Sequence, residues 1–289
     1  MATSPRPIQK IIEPQEVLEG AGVRLRRTIG TRNLNVLDPF LLLDHFASTD
    51  PEDYQAGFPM HPHRGIETVT YVLEGLIRHR DSVGNSGSIG LGEVQWMTAA
   101  GGIMHEEMPQ VRPEGIRGFQ LWVNLPAALK MTRPRYQGIA ADEIPEIEIA
   151  GGARVKIIAG ALEGTKGPVA GIAADPAYLD VFIPPHSAFK HNIPRDHTAF
   201  TYVFEGEASF GNSTLSKEMV SQTKLVVWGE GDYIEAATGD TPVRFLLVSA
   251  QPLRQPVARY GPFVMNTREE IEQALADLRN GTFIWSEPG

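Results

Sequence analysis

The 289-residue chain contains no cysteine. Disulfides, thiolate metal ligands and a cysteine nucleophile are therefore excluded, and a reducing compartment is the natural setting. It also lacks any apolar run near twenty residues, so no membrane-spanning helix is expected. The segment Met1-Ala2-Thr3-Ser4-Pro5-Arg6-Pro7 is polar and has no apolar stretch of the secretory kind, which makes a cytoplasmic location the expectation. Basic charge is scarce: 26 Lys and Arg stand against 35 Asp and Glu, for a net charge of -9. A surface that tracks nucleic-acid phosphates needs the opposite balance, so direct nucleic-acid binding is not expected, whereas a protein partner is compatible with it. The local exception, Arg24, Arg26 and Arg27, reads as the solvated edge of a strand. Walker loops, a Rossmann fingerprint after a strand and a Gly-x-Ser-x-Gly elbow are all missing, and no serine stands at a defined spacing from a base.

What is present is turn-punctuated β sequence. Runs rich in β-branched and aromatic residues occur at Val23 to Ile29, Ile66 to Leu73, Leu76 to Asp81, Val94 to Thr98, Gly118 to Asn124, Val155 to Ala159, Tyr178 to Ile183, Phe200 to Phe204, Leu225 to Trp228 and Val243 to Ala250. Gly, Pro, Asn and Asp separate them, the signature of antiparallel sandwiches or barrels. The chain also repeats itself. Thr68-Val69-Thr70-Tyr71-Val72-Leu73-Glu74-Gly75 returns 131 residues later as Ala199-Phe200-Thr201-Tyr202-Val203-Phe204-Glu205-Gly206, with five of eight positions identical. A period of that length implies two copies of one β-rich domain, with Glu-Gly at a turn in each. The proline-rich connection from about Pro126 to Gly152 divides them into domains 1–140 and 141–289. A capping box, Thr267 to Glu270, predicts one late helix. Ile271, Ala274, Leu275 and Leu278 form its apolar stripe and Asn280-Gly281 its stop, a packing element expected to end the second domain.

The chemistry concentrates in the first copy. In extended chain, residues i and i+2 share a face. Phe58-Pro59-Met60-His61-Pro62-His63-Arg64-Gly65 thus presents two imidazoles side by side, and His105-Glu106-Glu107 repeats the spacing about forty residues on. Chance alone supplies about 0.2 His-x-His pairs in such a chain, so the weight comes from finding both pairs on strand-flanked segments of one repeat. Gly101-Gly102 before His105 indicates a close backbone approach or a sharp turn. Three imidazoles and a carboxylate suit Fe(II) and other divalent transition metals, with positions left open on an octahedral ion. Glu67, four residues after His63, competes with Glu107 for the carboxylate role. The second copy does not reproduce the set: at the same offset stand Asn192, Pro194, Ala236 and Thr238. His186, His191 and His197 read as ordinary histidines, so one metal per chain is expected.

The blocks FPMHPHRGIETVTYVLEG, VQWMTAAGGIMHEEMP, GFQLWVNLP and PFVMNT, with LDPFLLLDHF before them, resemble the pirin family of the cupin superfamily over nearly the whole chain. The resemblance implies an all-β bicupin: two tandem jelly-roll-like barrels, a C-terminal helix, and a metal site in the first barrel only. It implies iron, held by His61, His63, His105 and Glu107, and so favours Glu107 over Glu67. It further implies one of two roles. The first is quercetin 2,3-dioxygenase activity, opening a flavonol ring with O2. The flavonol would engage the metal through its deprotonated 3-hydroxyl, Glu107 would serve as ligand and base, Arg64 would meet the anionic substrate, and Gln120 and Trp122 would line the pocket. The second is iron- and redox-dependent binding of a transcription regulator without catalysis, which would place a eukaryotic member in the nucleus.

Overall fold

The computed structural model describes residues 3–212 and 216–286. Strands and turns dominate, and Arg268–Asn280 is the one α-helix among the described residues. The strands sort into two units. One comprises Gln15–Ala141 and the segment from Leu253 onward; the other comprises Asp142–Pro252 and the segment up to Pro14. The units divide between Ala141 and Asp142, and each terminal segment groups with the unit at the other end of the chain. Local sequence pattern marks a strand or helix without naming what it packs on, and this part of the expected boundaries is corrected accordingly.

The first unit holds two large antiparallel sheets and a short two-stranded one, Ala258–Tyr260 with Phe263–Met265. A seven-stranded sheet runs in the order Arg135–Ile139, Val94–Thr98, Ile66–Glu74, Ile116–Asn124, Phe40–Ser48, Val23–Ile29, Gln15–Glu19. A four-stranded sheet runs Phe58–His63, Ile103–Pro109, Ile77–Asp81, Ser86–Ile89. Apolar residues of both sheets pack together in two clusters. Val23, Leu25, Phe46, Val72 and Ile116 meet Ile77 and Ile89 in one, and Leu41, Ile66 and Met97 meet Ile103 in the other. The seven-stranded sheet then offers a row of inward side chains. Antiparallel register sets Asp44 beside Gln120 and Gln120 beside Thr70, with Leu42, Trp122 and Thr68 in the next rank.

The helix folds as its sequence requires. The Thr267 hydroxyl accepts from the Glu270 amide at 3.2 Å, the Glu270 carboxylate accepts from the Thr267 amide at 3.0 Å, and Gly281 closes the helix in left-handed conformation. Ile271 and Ala274 are buried against Phe263, Met265 and Phe283. All of these lie in the first unit, so the helix expected to finish the second barrel instead packs with the first.

The second unit holds a small two-stranded sheet, Ala161–Leu162 with Thr165–Lys166, and one large sheet whose main path runs Ile8–Ile12, Lys224–Trp228, Thr198–Asn212, Val243–Ala250, Ala177–Ile183, Arg154–Ala159, Glu146–Glu148. Where the first copy turns at Glu74-Gly75, the second does not break. Thr198–Asn212 is continuous, bulged between Val203 and Glu205, and serves Lys224–Trp228 and Val243–Ala250 first, then Ser216–Ser221 and Tyr233–Ala237. Gly206 carries the bend at φ 69, where a Cβ would collide with the Pro242 carbonyl. The N-terminal segment is pinned by Arg6, 2% exposed, whose guanidinium donates to the carbonyls of His197 (3.0 Å), Gly229 (3.1 Å), Pro194 (2.6 Å) and Arg195 (3.2 Å). Arg6→Ala strands these buried acceptors. We expect it to cost about 3 kcal/mol, read as a lower urea midpoint.

Candidate metal centre

The site forms where two strands of the four-stranded sheet meet. Phe58–His63 and Ile103–Pro109 are antiparallel with His105 opposite His61, and a register shift between His105 and Glu107 brings Glu107 opposite Phe58. Both i, i+2 pairs therefore face one point. The donor atoms of His61, His63 and His105 all lie within 4.8 Å of one another. His61 Nε2 is 3.0 Å from His63 Nε2, and Glu107 Oε2 is 3.9 Å from His105 Nε2. The backbone closes tightly on either side. Gly65 has φ 81 and lies so near the Val264 carbonyl that a Cβ has no room; Gly102, at φ 137, stands likewise against the Phe283 carbonyl. The glycine pair before His105 thus marks the close approach its sequence indicates.

The electrostatics favour neutral ligands. Burial lowers the pKa of His61, with His105 as the next cause, and depresses His63 strongly, helped by His105 and His61. His105 is pushed down to about 4, again mainly by burial. At neutral pH the three rings keep their lone pairs. His61 Nδ1 donates to the Pro59 carbonyl at 2.9 Å, which leaves Nε2 as the unprotonated, inward nitrogen. His105 is 1% exposed, and neither of its ring nitrogens has a hydrogen-bond partner. A buried imidazole in that condition is costly unless something outside the protein satisfies it, so the donor set fits a divalent ion. The Glu107 carboxyl is raised by burial, against the pull of His61 and of the Thr70 hydroxyl, which donates to Oε1 at 2.9 Å.

Glu67 stands elsewhere. The turn at Gly65 resets the alternation that made it appear to share a face with His63, because the chain passes from the four-stranded to the seven-stranded sheet there. Its carboxylate accepts from Thr98 Oγ1 at 2.7 Å. The expectation for Arg64 is also corrected. It does not line the cavity. It is 3% exposed, with Nη1 donating to Asp277 at 2.6 Å, Nη2 donating to the Phe283 carbonyl at 2.9 Å, and its guanidinium 4.4 Å from the Phe283 ring. The reversal at Gly65 sends His63 and Arg64 to different neighbours, and Arg64 fastens the C-terminal helix. Gln120 and Trp122 do line the cavity.

That cavity has a volume of about 420 Å³. The four-stranded sheet contributes Phe58, Pro59, His61, His63 and Glu107, and the seven-stranded sheet contributes Leu42, Asp44, Phe46, Gln120 and Trp122. Trp122 meets His63 edge-on at 5.1 Å. Arg27, which reads as a solvated edge residue in sequence, is instead part of the wall. It forms a two-pronged pair with Asp44 at 2.7 Å for each bond and reaches Glu19 at 2.6 Å. Thr70 and Asp44 lie inside the blocks that carry the family resemblance, and Thr70 is also an identity between the repeats, but nothing in the sequence assigns either a place in the cavity wall. Arg259 carries no local signal.

In the second unit the corresponding strands, Ala188–Asn192 and Tyr233–Ala237, also pair antiparallel, but the positions equivalent to His105 and His61 are Ala236, opposite Phe189, and Asn192, opposite Tyr233. Phe189, Phe210, Phe245 and Trp228 fill the interior in mutual ring contact. His186 is exposed beside Asp240, His191 stacks on Phe189, and His197 lies near Asp175. Among the described residues only the first unit gathers a possible metal-binding group.

Comparison with known proteins agrees with this geometry. Residues 22–123 match the Pirin family model, and residues 178–284 match that of the Pirin C-terminal cupin domain. The chain belongs to the pirin family. A pirin-like protein of Caulobacter vibrioides is 46% identical over 279 residues, which span 96% of this chain and 99% of its own. A Pseudomonas aeruginosa protein named as a candidate quercetin 2,3-dioxygenase is 43% identical over 267 residues, 91% and 93% of the two chains. Among solved structures, a quercetin 2,3-dioxygenase from Acinetobacter baumannii superposes with a TM-score of 0.86 at 32% identity, covering 97% of this chain and 99% of that one. The two-cupin, mostly-β architecture expected from the sequence is therefore that of the pirin family. No helix of the described residues is long and apolar enough to cross a membrane.

Proposed function

We propose that this pirin is an iron-dependent dioxygenase of the quercetin 2,3-dioxygenase type, opening the ring of a flavonol-like substrate with O2. The observation that carries the reading is the convergence of three neutral imidazoles and a buried carboxylate on an aromatic-walled cavity of about 420 Å³. That volume lies in the range of small-molecule sites. His61, His63, His105 and Glu107 would hold the ion. When bound, it supplies Lewis acidity and brings substrate oxygen and dioxygen together. The protein does the rest. Phe58 and Trp122 offer flat surfaces to a planar substrate, and the Gln120 side chain faces the same space. Glu107 has a carboxyl made more basic by burial and one oxygen held by Thr70, which suits Oε2 to take the proton of a substrate hydroxyl. Incubation of iron-loaded protein with quercetin tests this. We expect oxygen uptake with carbon monoxide release, lost in a His61→Ala, His63→Ala variant. Equal rates for the two proteins, or none for either, count against the proposal.

A second reading is iron-dependent docking of a transcription regulator. It is favoured by exposed apolar side chains next in sequence to cavity-lining residues: Leu18 (66% exposed), Met60 (39%) and Tyr260 (62%). Equal capture of such a regulator by the Fe(II), Fe(III) and metal-free forms would remove it.

A further inference from the structure

The cavity wall contains two arginines in different electrostatic states. Arg27 is saturated, its fork occupied by Asp44 and Glu19. Arg259 is not. It sits on the short strand Ala258–Tyr260, where Nη1 donates to the Leu41 carbonyl at 3.2 Å and Nε donates weakly to the Gly261 carbonyl at 3.4 Å. Among the described residues no carboxylate forms an ion pair with it. Its guanidinium carbon lies 5.0 Å from the Trp122 ring, and the same indole meets the His63 ring edge-on at 5.1 Å. One flat side chain therefore touches both the histidine group and an arginine whose Nη2 donates no hydrogen bond.

We propose that Arg259 is a specificity determinant that reads an anionic group on the substrate, so that the preferred ligand is a planar aromatic enol or phenol with a carboxylate at the end remote from His63. The physical grounds are geometric. A planar guanidinium matches a carboxylate through two parallel N–H···O bonds, and such charge-assisted pairs are about twice as strong as neutral ones. The guanidinium lies over the Trp122 ring, a cation–π contact that limits the rotamer freedom lost when an anion docks. A planar ligand lying along the indole would set its hydroxyl end toward the histidines and its other end toward Arg259. Asp44 and Glu19 attract Arg259 through space, but both carboxylates spend their hydrogen bonds on Arg27 and neither bonds to Arg259.

The inference rests on the cavity being a substrate site, as proposed above, and its test reads binding without turnover. The probes are a matched pair, 3-hydroxyflavone 4′-carboxylate and its 4′-carboxamide, titrated anaerobically against metal-loaded protein and followed by tryptophan quenching. We expect wild type to prefer the carboxylate by about tenfold or more. In Arg259→Gln the preference should collapse toward one, with carboxamide affinity little changed. Arg259→Lys keeps the charge but loses the fork and should give an intermediate ratio; it carries the test if the glutamine variant does not fold. A merely structural arginine would weaken both probes alike, and that result overturns the inference, as does equal affinity in wild type. Binding of neither probe overturns both the inference and the substrate-site reading. A preserved charge preference without quercetin cleavage leaves the inference standing and removes only the dioxygenase reading.

Discussion

Replacing His105 with leucine is expected to abolish metal binding and, in the same protein, to raise the stability of the metal-free form. His105 is 1% exposed and its two ring nitrogens are unpartnered, so the metal-free fold carries a buried polar group with nothing to satisfy it. Such a group costs about 1–3 kcal/mol, and an apolar side chain of similar size avoids that cost. Loss of a ligand should lower metal affinity by more than about 100-fold, which is what removal of mere outer partners achieves. Urea unfolding would show metal-free His105→Leu above metal-free wild type by about 1–2 kcal/mol. With metal added the order reverses, because only wild type gains binding energy. A metal-free variant less stable than wild type would mean that His105 has a structural partner in solution.

Lys130→Met should be the most damaging single change to the first unit. Lys130 is 1% exposed, and its ammonium donates to the Gly65 carbonyl at 2.7 Å, to Asn124 Oδ1 at 2.7 Å and to the Val264 carbonyl at 2.8 Å. One side chain thus ties the turn after His63 to the end of Ile116–Asn124 and to the returning strand Phe263–Met265. Methionine fills the volume but strands all three acceptors, at a cost of about 3–5 kcal/mol. Metal affinity should fall with it, since the turn that aims His63 loses its anchor. The pH dependence has a definite sign. Burial pushes Lys130 down to about 7, with the charge of Glu270 pulling the other way. The unfolded chain titrates near 10.4, so between about 7 and 10.4 it binds more protons than the folded one, and stability rises with pH across that window. Below about 7 both states are protonated and the contribution is flat. Wild type should therefore gain on Lys130→Met from pH 7 to 10 in urea unfolding. A difference that stays constant or shrinks over that range would contradict the assignment.

The sequence carried the parts of this protein that depend on short-range pattern. All ten strand-like runs lie on strands, because alternation and turn punctuation are local properties. The helix has its capping box at Thr267 and its glycine stop at Gly281 for the same reason. His61 with His63 and His105 with Glu107 stand out on paper because each pair sits two residues apart on extended chain, whereas the choice of Glu107 over Glu67 came only from the family resemblance. Other parts were not legible. Arg64 adjoins His63 in sequence, yet the reversal at Gly65 sends it to Asp277, more than two hundred residues away. Arg27 looks like a surface charge until Asp44 and Glu19 are folded against it. Arg6 and Lys130 have the composition of solvent-facing residues, and only the carbonyl cages around them show otherwise. Such roles are set by partners distant in the chain, which a single sequence does not pair.

Metal content with and without the histidine pair tests the central claim most directly. Protein purified without added metal, then equilibrated with Fe(II) under anaerobic conditions and desalted, is assayed by elemental analysis alongside the His61→Ala, His63→Ala variant. The account predicts one metal ion per wild-type chain and none in the variant, with unchanged β-sheet content by circular dichroism. A metal-free wild type, or a variant that keeps its metal, would contradict it.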